Sequence, residues 1–449
     1  MKLLMISPAS GGWKGIGRNT IFNGKTFRFS LLSLLTVAAE TPPGVKVKIV
    51  DEQFEDIPWN ASFDLVGITC MTATAPRAYE IAARFRKMRT PVVLGGMHPT
   101  LCPEEAVNHA EAIVVGDAEG IWHQVIADAR TGNLQPVYQN KEPPTLEKLK
   151  ELPRHFLQSG KYAAVHAVQA TRGCPNACEF CSVSAYHKQT QRCRPVEEVY
   201  EEIARLSGRF LVFVDDNLTA DQAYAQRLFD SLKGLGKLWV TQSTLSIADN
   251  PDLVDSAAEA GCAGLFIGLE SFSERNLTSV NKICHRVEKY RAAIEFLHSK
   301  GIAVEAGIVF GFDHDRPDVF ERTLSILEEL HIDSIQVSVF TPLPGTTRYR
   351  QMEHRIISRD WSHYDFHHVV FQPARMSVVE LKAGHDWVTK EFYRPWRIVK
   401  RLVRHARRPN GLKTLPYVAV VNWAYYGRAK RWNIKGWNPR QESNAASSV

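Results

Sequence analysis

No stretch of this 449-residue chain approaches eighteen consecutive apolar residues, so no transmembrane helix is expected. The start, Met1-Lys-Leu-Leu-Met-Ile-Ser7, reads as a strand. It lacks the longer apolar stretch and small-residue cleavage site of a signal peptide. Internal repeats and long low-complexity runs are also missing, which excludes a solenoid or a tract-like disordered protein. Cysteine is sparse, with eight in all, and five of them (Cys70, Cys102, Cys193, Cys262 and Cys284) are scattered. Without a signal peptide they argue against a disulfide framework and for a reducing cytosol. Apolar content of 44% and charged content of 23% are ordinary for a soluble globular protein. The length implies two or three domains.

The other three cysteines stand together. Cys174, Cys178 and Cys181 form a C-x3-C-x2-C run within Thr171-Arg-Gly-Cys-Pro-Asn-Ala-Cys-Glu-Phe-Cys-Ser182. The surrounding Pro, Asn, Glu and Gly mark a loop rather than a core strand. Three thiolates this close suit an iron–sulfur cluster better than a disulfide. A cubane cluster has four irons, so three cysteines leave one iron open to a substrate or cofactor. Zinc binding and simple packing are the rival readings. Zinc usually takes four ligands, and neither His187 nor Cys193 downstream has pairing spacing.

Residues 1 to about 130 alternate short apolar strands (3–6, 45–50, 65–69, 92–94, 112–115) with helical patterns (about 30–40, 75–88, 119–130). Such a series implies a doubly wound parallel sheet with its ligand site beyond the carboxyl ends of the strands. Those ends carry residues 7–12, Asp51-Glu52, Thr69 with Met71-Thr72, Gly95-Gly-Met-His98 and Gly116-Asp-Ala-Glu119. Residues 133–160 hold Pro136, Pro143, Pro144 and Pro153 among many charges and read as a linker.

A second series runs from 161 to 346, with strands at 165–170, 210–214, 238–242, 264–269, 304–310 and 334–340. Helical patterns lie between them, and the whole fits a partial (β/α)6 barrel. Polar residues gather at the strands' carboxyl ends: the cysteine loop, Asp215-Asp-Asn217, Gln242-Ser243, Glu270-Ser271, Gly311-Phe-Asp313 and 341–345. That is the face which carries the active site in such barrels. Asp215 and Asp216 read either as a metal or acid–base pair or as caps of the following helix with Asn217 or Thr219. A structural or substrate-orienting role is favoured.

From 347 to 449 the barrel period fades into a helical extension rich first in His and aromatics. Residues 393–408 form a basic amphipathic helix candidate, and much of the net charge of +7 lies after residue 394. The apolar, aromatic stretch 414–426 is too short to span a bilayer. The polar end, 441–449, is expected to fray.

The cysteine spacing resembles the signature of the radical S-adenosylmethionine (SAM) superfamily, and the resemblance extends from about residue 160 to about 345. It implies that Cys174, Cys178 and Cys181 ligate a [4Fe-4S] cluster and that SAM chelates the open iron. Gln242, Ser243 and Glu270, the last in a Gly-Leu-Glu-Ser form typical of the superfamily, then look like SAM-binding positions. Phe180 would pack against adenine, or serve as core filler. The N-terminal domain resembles the cobalamin-binding domain of one large class of these enzymes, through Val66-Gly-Ile-Thr-Cys-Met-Thr72, Val93-Leu-Gly-Gly-Met-His-Pro-Thr100 and Val115-Gly-Asp-Ala-Glu-Gly120. Thr69, Thr72, Gly95, Gly96, Gly116 and Glu119 are the implied cobalamin contacts. The D-x-H-x-x-G motif is missing, so cobalamin would bind without a protein histidine. His98 is read as a loop hydrogen-bonding group or a neighbour of the corrin edge.

Trp361-x-x-Tyr364-Asp-Phe and Phe371-x-Pro373 resemble the C-terminal extension of a subgroup that includes the hopanoid methylases. The implied activity is methylation of an unactivated carbon of a lipid or other small molecule through a 5′-deoxyadenosyl radical. Cyclisation, ring contraction or coupling without methyl transfer is the nearest alternative. A tRNA-modifying enzyme would bring extra cluster cysteines and a small β-barrel, and a sensor would need an output module; neither is present in the sequence. Nucleic acid is therefore the disfavoured partner. Flavodoxin or ferredoxin is the expected type of electron donor. The expected location is cytoplasmic, with the basic C-terminal segment able to touch the inner membrane surface.

Overall fold

The computed structural model describes residues 1–9, 26–29, 31–157, 162–164, 166–282 and 286–430. Residues 10–12 of the first expected strand-end loop, Cys284, residue 165 and the tail 441–449 lie outside the described residues. The chain divides into two compact units. The N-terminal unit is Met1–Ala167 together with Leu343–Arg350 and Arg359–Asp365, and the C-terminal unit is the remainder.

In the N-terminal unit the strands are β1 (Lys2–Ser7), β2 (Thr26–Phe29), β3 (Lys46–Asp51), β4 (Leu65–Thr69), β5 (Val92–Gly95), β6 (Ala112–Val115), β7 (Val137–Gln139) and β8 (Tyr162–Ala164). Six of them form one parallel sheet in the order β3-β1-β4-β5-β6-β7. The helices are α1 (Leu32–Glu40), α2 (Ala75–Lys87), α3 (Met97–Leu101), α4 (Pro103–Ala106) and α5 (Trp122–Thr131). Successive strand residues point to opposite faces. Leu4, Ile6, Val66, Ile68 and Leu94 join α2 on one side, while Leu3, Met5, Leu65 and Val93 join α1 and α5 on the other. Both faces are therefore buried, as the near-continuous apolar strands require. α2 buries Ala75, Ala78, Ile81, Ala82 and Phe85 at helical spacing and ends on Arg84, Arg86 and Lys87, which complement its dipole. The strand order reverses at β1 and β4, where such sheets place their ligands.

β7 lies inside the segment that reads as a linker. Three residues behind Pro136 carry too little pattern to announce a strand, but pairing with β6 supplies the missing backbone partners.

The C-terminal unit contains β9 (Ala167–Val168), β10 (Thr171–Gly173), β11 (Gln191–Cys193), β12 (Phe210–Phe213), β13 (Leu238–Ser243), β14 (Cys262–Glu270), β15 (Ala303–Phe310) and β16 (Ser334–Val339). Its six-stranded sheet runs β16-β15-β14-β13-β12-β9, in strict chain order. The helices between these strands are α6 (Ser182–Tyr186), α7 (Val196–Arg205), α8 (Gln222–Leu232), α9 (Pro251–Glu259), α10 (Glu274–Ser279), α11 (Tyr290–Ser299) and α12 (Val319–Glu329). Sequential parallel strands with helical crossovers are the winding of an incomplete β/α barrel. β10 and β11 form a separate antiparallel hairpin that carries the cysteine loop; of the expected strand over 165–170, β9 keeps only Ala167–Val168.

After α13 (Thr347–Met352) come α14 (Val378–Phe392), α15 (Pro395–Ala406) and α16 (Gly411–Ala429). α14 starts with a capping box in which Ser377 and Glu380 exchange hydrogen bonds. Tyr393 bonds both the N–H and the carbonyl of Ile335. α16 lies against the amino ends of the strands: Asn422 donates to the Asp333 carbonyl at 2.9 Å and Tyr425 to Glu305 Oε1 at 2.9 Å. Burial pushes the Asp333 carboxyl up, but His298, His405 and Arg408 outweigh it and hold the pKa well below the usual range. The extension thus closes the barrel end opposite the cysteine loop.

Candidate active site

The cysteine loop connects β10 to α6. Gly173, just before Cys174, has φ +86°, and a Cβ there would stand 2.2 Å from the Thr190 carbonyl. Only glycine lets the hairpin close so tightly. None of the three cysteines is in a disulfide, and all are half-buried. Cys181 sits at the head of α6, and the Ser184 hydroxyl of that helix donates back to the Asn176 carbonyl within the cysteine loop at 2.7 Å. Burial raises the Cys181 thiol pKa. Asn217 Nδ2 reaches Cys174 Sγ at 3.7 Å. Hydrogen-bond donors aimed at sulfur favour thiolate ligands. Among the described residues no three His, Cys, Asp or Glu side chains gather around one metal ion. In a cubane each cysteine takes a different iron, so its ligands need not share one centre.

Asp215 and Asp216 brace the loop's entry. Asp215 is fully buried and accepts bonds from the Ala170 and Thr171 N–H groups and, at 2.7 Å, from the Thr171 hydroxyl. Burial pushes its carboxyl up to about 7. Asp216 accepts from the Gly173 N–H at 2.9 Å. Neither caps α8, because Asp221 does so through the Tyr224 N–H.

The other strand ends differ in how committed their side chains are. Gln242 is exposed, whereas Ser243 is buried and its hydroxyl meets Thr219 Oγ1 at 2.6 Å. As neighbours on β13 they point to opposite faces. Glu270 ends β14 at φ +61° and bonds Lys282 Nζ at 2.5 Å. Phe180 packs on the core, 6.1 Å from the Phe340 ring.

In the N-terminal unit, Gly96 has φ +100°, and a Cβ there would crowd Cys70 N, Cys70 O and Thr69 Oγ1 at 3.1 Å. Thr72 is buried and Thr69 half-buried beside it. Gly116 leaves open space where a side chain would stand, and its N–H is held by Thr100 Oγ1 at 2.9 Å. Gly95 is half-buried, and Glu119 is buried in the loop that Asn140 fastens through the Asp117 and Glu119 carbonyls. An open, glycine-lined cradle at parallel strand ends fits a large planar cofactor that needs no protein ligand from below. His98 does not serve its own loop. It is fully buried, with Nε2 3.1 Å from Tyr79 Oη and 3.4 Å from Glu105 Oε1, and burial lowers its pKa. Trp361 Nε1 donates to the same Glu105 carboxylate.

The family model "Radical SAM superfamily" matches residues 168–325, and "B12 binding domain" matches residues 37–126. The chain is a radical SAM superfamily enzyme with an N-terminal B12-binding domain. Its cofactors are a [4Fe-4S] cluster, SAM and cobalamin. This radical SAM chain is 29% identical over 383 residues to bacteriochlorophyllide d C-12(1)-methyltransferase of Chlorobaculum tepidum, covering 83% of this chain and 84% of that protein. It is 25% identical over 348 residues to hopanoid C-2 methylase of Rhodopseudomonas palustris, covering 73% and 65%. In fold it resembles the cobalamin-dependent SAM radical enzyme OxsB, with a TM-score of 0.66 at 14% identity over 99% of this chain and 74% of that one.

Sequence reasoning did not find Lys282, Asn281, Asn140 or the Glu105–Trp361 pair. Asn217, read at its strand end as a possible helix cap, instead reaches Cys174 while Asp221 caps α8; the others carry no local signal.

Proposed function

We propose that this radical SAM enzyme methylates an unactivated carbon of a small-molecule or lipid substrate, using cobalamin. The observation that carries the reading is the cysteine loop, braced by Asp215 and Asp216 and supplied with an amide donor to Cys174, in a chain that also bears a glycine cradle at Gly116. When bound, the cluster and SAM supply a 5′-deoxyadenosyl radical and cobalamin supplies the methyl group. Cys174, Cys178 and Cys181 hold the cluster and leave one iron for SAM. Glu270 and the Gln242-Ser243 end of β13 form the SAM pocket, with one of the two β13 side chains facing it and Phe180 against the adenine. Thr69, Thr72, Gly95, Gly96, Gly116 and Glu119 form the cobalamin cradle. Relatives named for bacteriochlorophyllide and hopanoid methylation favour a bulky, largely apolar substrate. Anaerobic reconstitution with iron and sulfide, with and without cobalamin, tests the reading. 5′-Deoxyadenosine and S-adenosylhomocysteine formed together are expected. Deoxyadenosine alone points to radical chemistry without methyl transfer, and neither product from an intact cluster, given substrate and reductant, overturns the reading.

The free thiols and the cluster suit a reducing cytosol, with a small acidic redox protein such as flavodoxin or ferredoxin as electron donor. Among the described residues no helix is long and apolar enough to cross a membrane. α15 supports peripheral contact instead. Its inner face buries Ile398, Arg401 and His405, so Arg401 serves the fold by bonding Asn422 rather than the basic surface. Its outer face exposes Trp396, Val399 and Val403 beside Lys400 and Arg407. No Asp or Glu occurs between Glu391 and Glu442. An apolar stripe flanked by cations suits an anionic lipid surface. Co-sedimentation with phosphatidylserine vesicles should exceed that with phosphatidylcholine vesicles, and equal sedimentation would rule the contact out.

A further inference from the structure

One buried cation near the cysteine loop is unused by the roles assigned so far. Lys282 follows α10 and is only 8% exposed, a costly place for an ammonium unless it is paired. Its partner is Glu270, whose Oε1 stands 2.5 Å away. The pair lies over Gly268: a Cβ there would stand 2.4 Å from Glu270 Oε1 and 3.0 Å from Lys282 Nζ. β14 therefore omits a side chain where the ion pair passes.

The turn that carries Lys282 also grips the cysteine loop. The Val280 carbonyl accepts from the Glu179 N–H at 3.1 Å. Asn281, held at φ +56°, donates through Nδ2 to the Ala177 carbonyl at 2.9 Å. Residues 280–282 thus touch the loop between Cys174 and Cys181 at two points and deliver a cation beside it.

We propose that Lys282 is a positioning residue with two tasks: it fixes the carboxylate of Glu270, and it places a positive charge beside the cysteine loop that raises the reduction potential of the bound cluster. A cation near a cluster stabilises the extra electron of the reduced form. The same residue thereby couples one wall of the proposed SAM pocket to the ease of electron entry. This inference rests on the cluster assignment above, and the experiment separates the two.

The test is a redox titration, followed by electron paramagnetic resonance, of anaerobically reconstituted full-length protein, with iron content measured in parallel. Wild type should take up four irons; failure to do so sinks the cluster assignment and the inference with it. K282M should keep its iron, and its reduced-to-oxidised ratio at a fixed poise should fall about tenfold, as expected for loss of a nearby charge in a partly screened site. K282R should restore the ratio. E270Q should move the ratio the other way, because it frees the ammonium from its counter-charge, and it carries the test if K282M loses iron. An unchanged ratio in iron-replete K282M, or in E270Q where K282M cannot be loaded, overturns the inference. A merely structural lysine would lower iron occupancy without these opposed shifts.

Discussion

The two strand-end sites are held in opposite ways. In the C-terminal unit, carboxylates from a strand end and an amide from a turn reach across to tie down one loop, as Asp215, Asp216 and Asn281 do for the cysteines. In the N-terminal unit the proposed cobalamin site is shaped by backbone and by missing side chains, at Gly96 and Gly116. The contrast follows the ligands. A cluster is bound through a few sulfur atoms, so their loop must be pre-set in position and charge. A large planar cofactor is bound by contact area, so the protein must provide room and close backbone approach.

The largest effect that would break this contrast is at the cysteines. C178A should remove the cluster and lower deoxyadenosine formation on the order of a hundredfold or more, as read by iron content and product chromatography. Retained activity would sink the cluster assignment. Loss of the brace comes next. D215N leaves buried N–H donors short of an acceptor and should cost about 2 kcal/mol in chemical unfolding. Asp215 also gives this cost a pH dependence. Its carboxyl titrates near 7 when folded and near about 4 when unfolded. Between these values the folded state holds a proton that the unfolded state has lost, so the Asp215 contribution is full below about pH 4 and is lost as pH rises through 7. The stability gap between wild type and D215N should narrow from pH 5 to pH 8; a gap that widens would contradict the burial argument.

On the N-terminal side, Gly116→Leu fills the open space and should weaken hydroxocobalamin binding about tenfold, near 1.4 kcal/mol, in a spectrophotometric titration, with cluster uptake unchanged. Unaltered affinity would show that the cradle lies elsewhere. The smallest effect is expected at Trp361, whose indole bonds Glu105 from 256 residues away in sequence. W361F should cost about 1 kcal/mol of unfolding stability and leave cluster uptake intact, since Trp361 belongs to the N-terminal unit.

Much of the fold was legible because it is written in local patterns. The buried parallel strands appear as short apolar runs, and α2 and α7 as apolar residues at helical spacing. β7 was not legible, since three residues cannot carry a period. The two aspartates were legible as polar residues at a strand end, but not as braces, because their partners at 170–173 are more than forty residues away. Gln242 and Ser243 were legible as polar residues at a strand end, but the Thr219 hydroxyl that meets Ser243 was not, because it lies on another loop twenty-four residues away.

The sequence by itself determined the type of chemistry. The C-x3-C-x2-C spacing and the glycines at strand ends are local requirements of a cluster and of close backbone approach, so they survive in one dimension. Tertiary structure alone decided which charges surround those groups. Lys282 meets Glu270 only because β14 ends beside the turn after α10, and Trp361 meets Glu105 only because the late segment 359–365 packs into the N-terminal unit. A carboxylate's partner depends on distance in space, and no spacing rule along the chain encodes that.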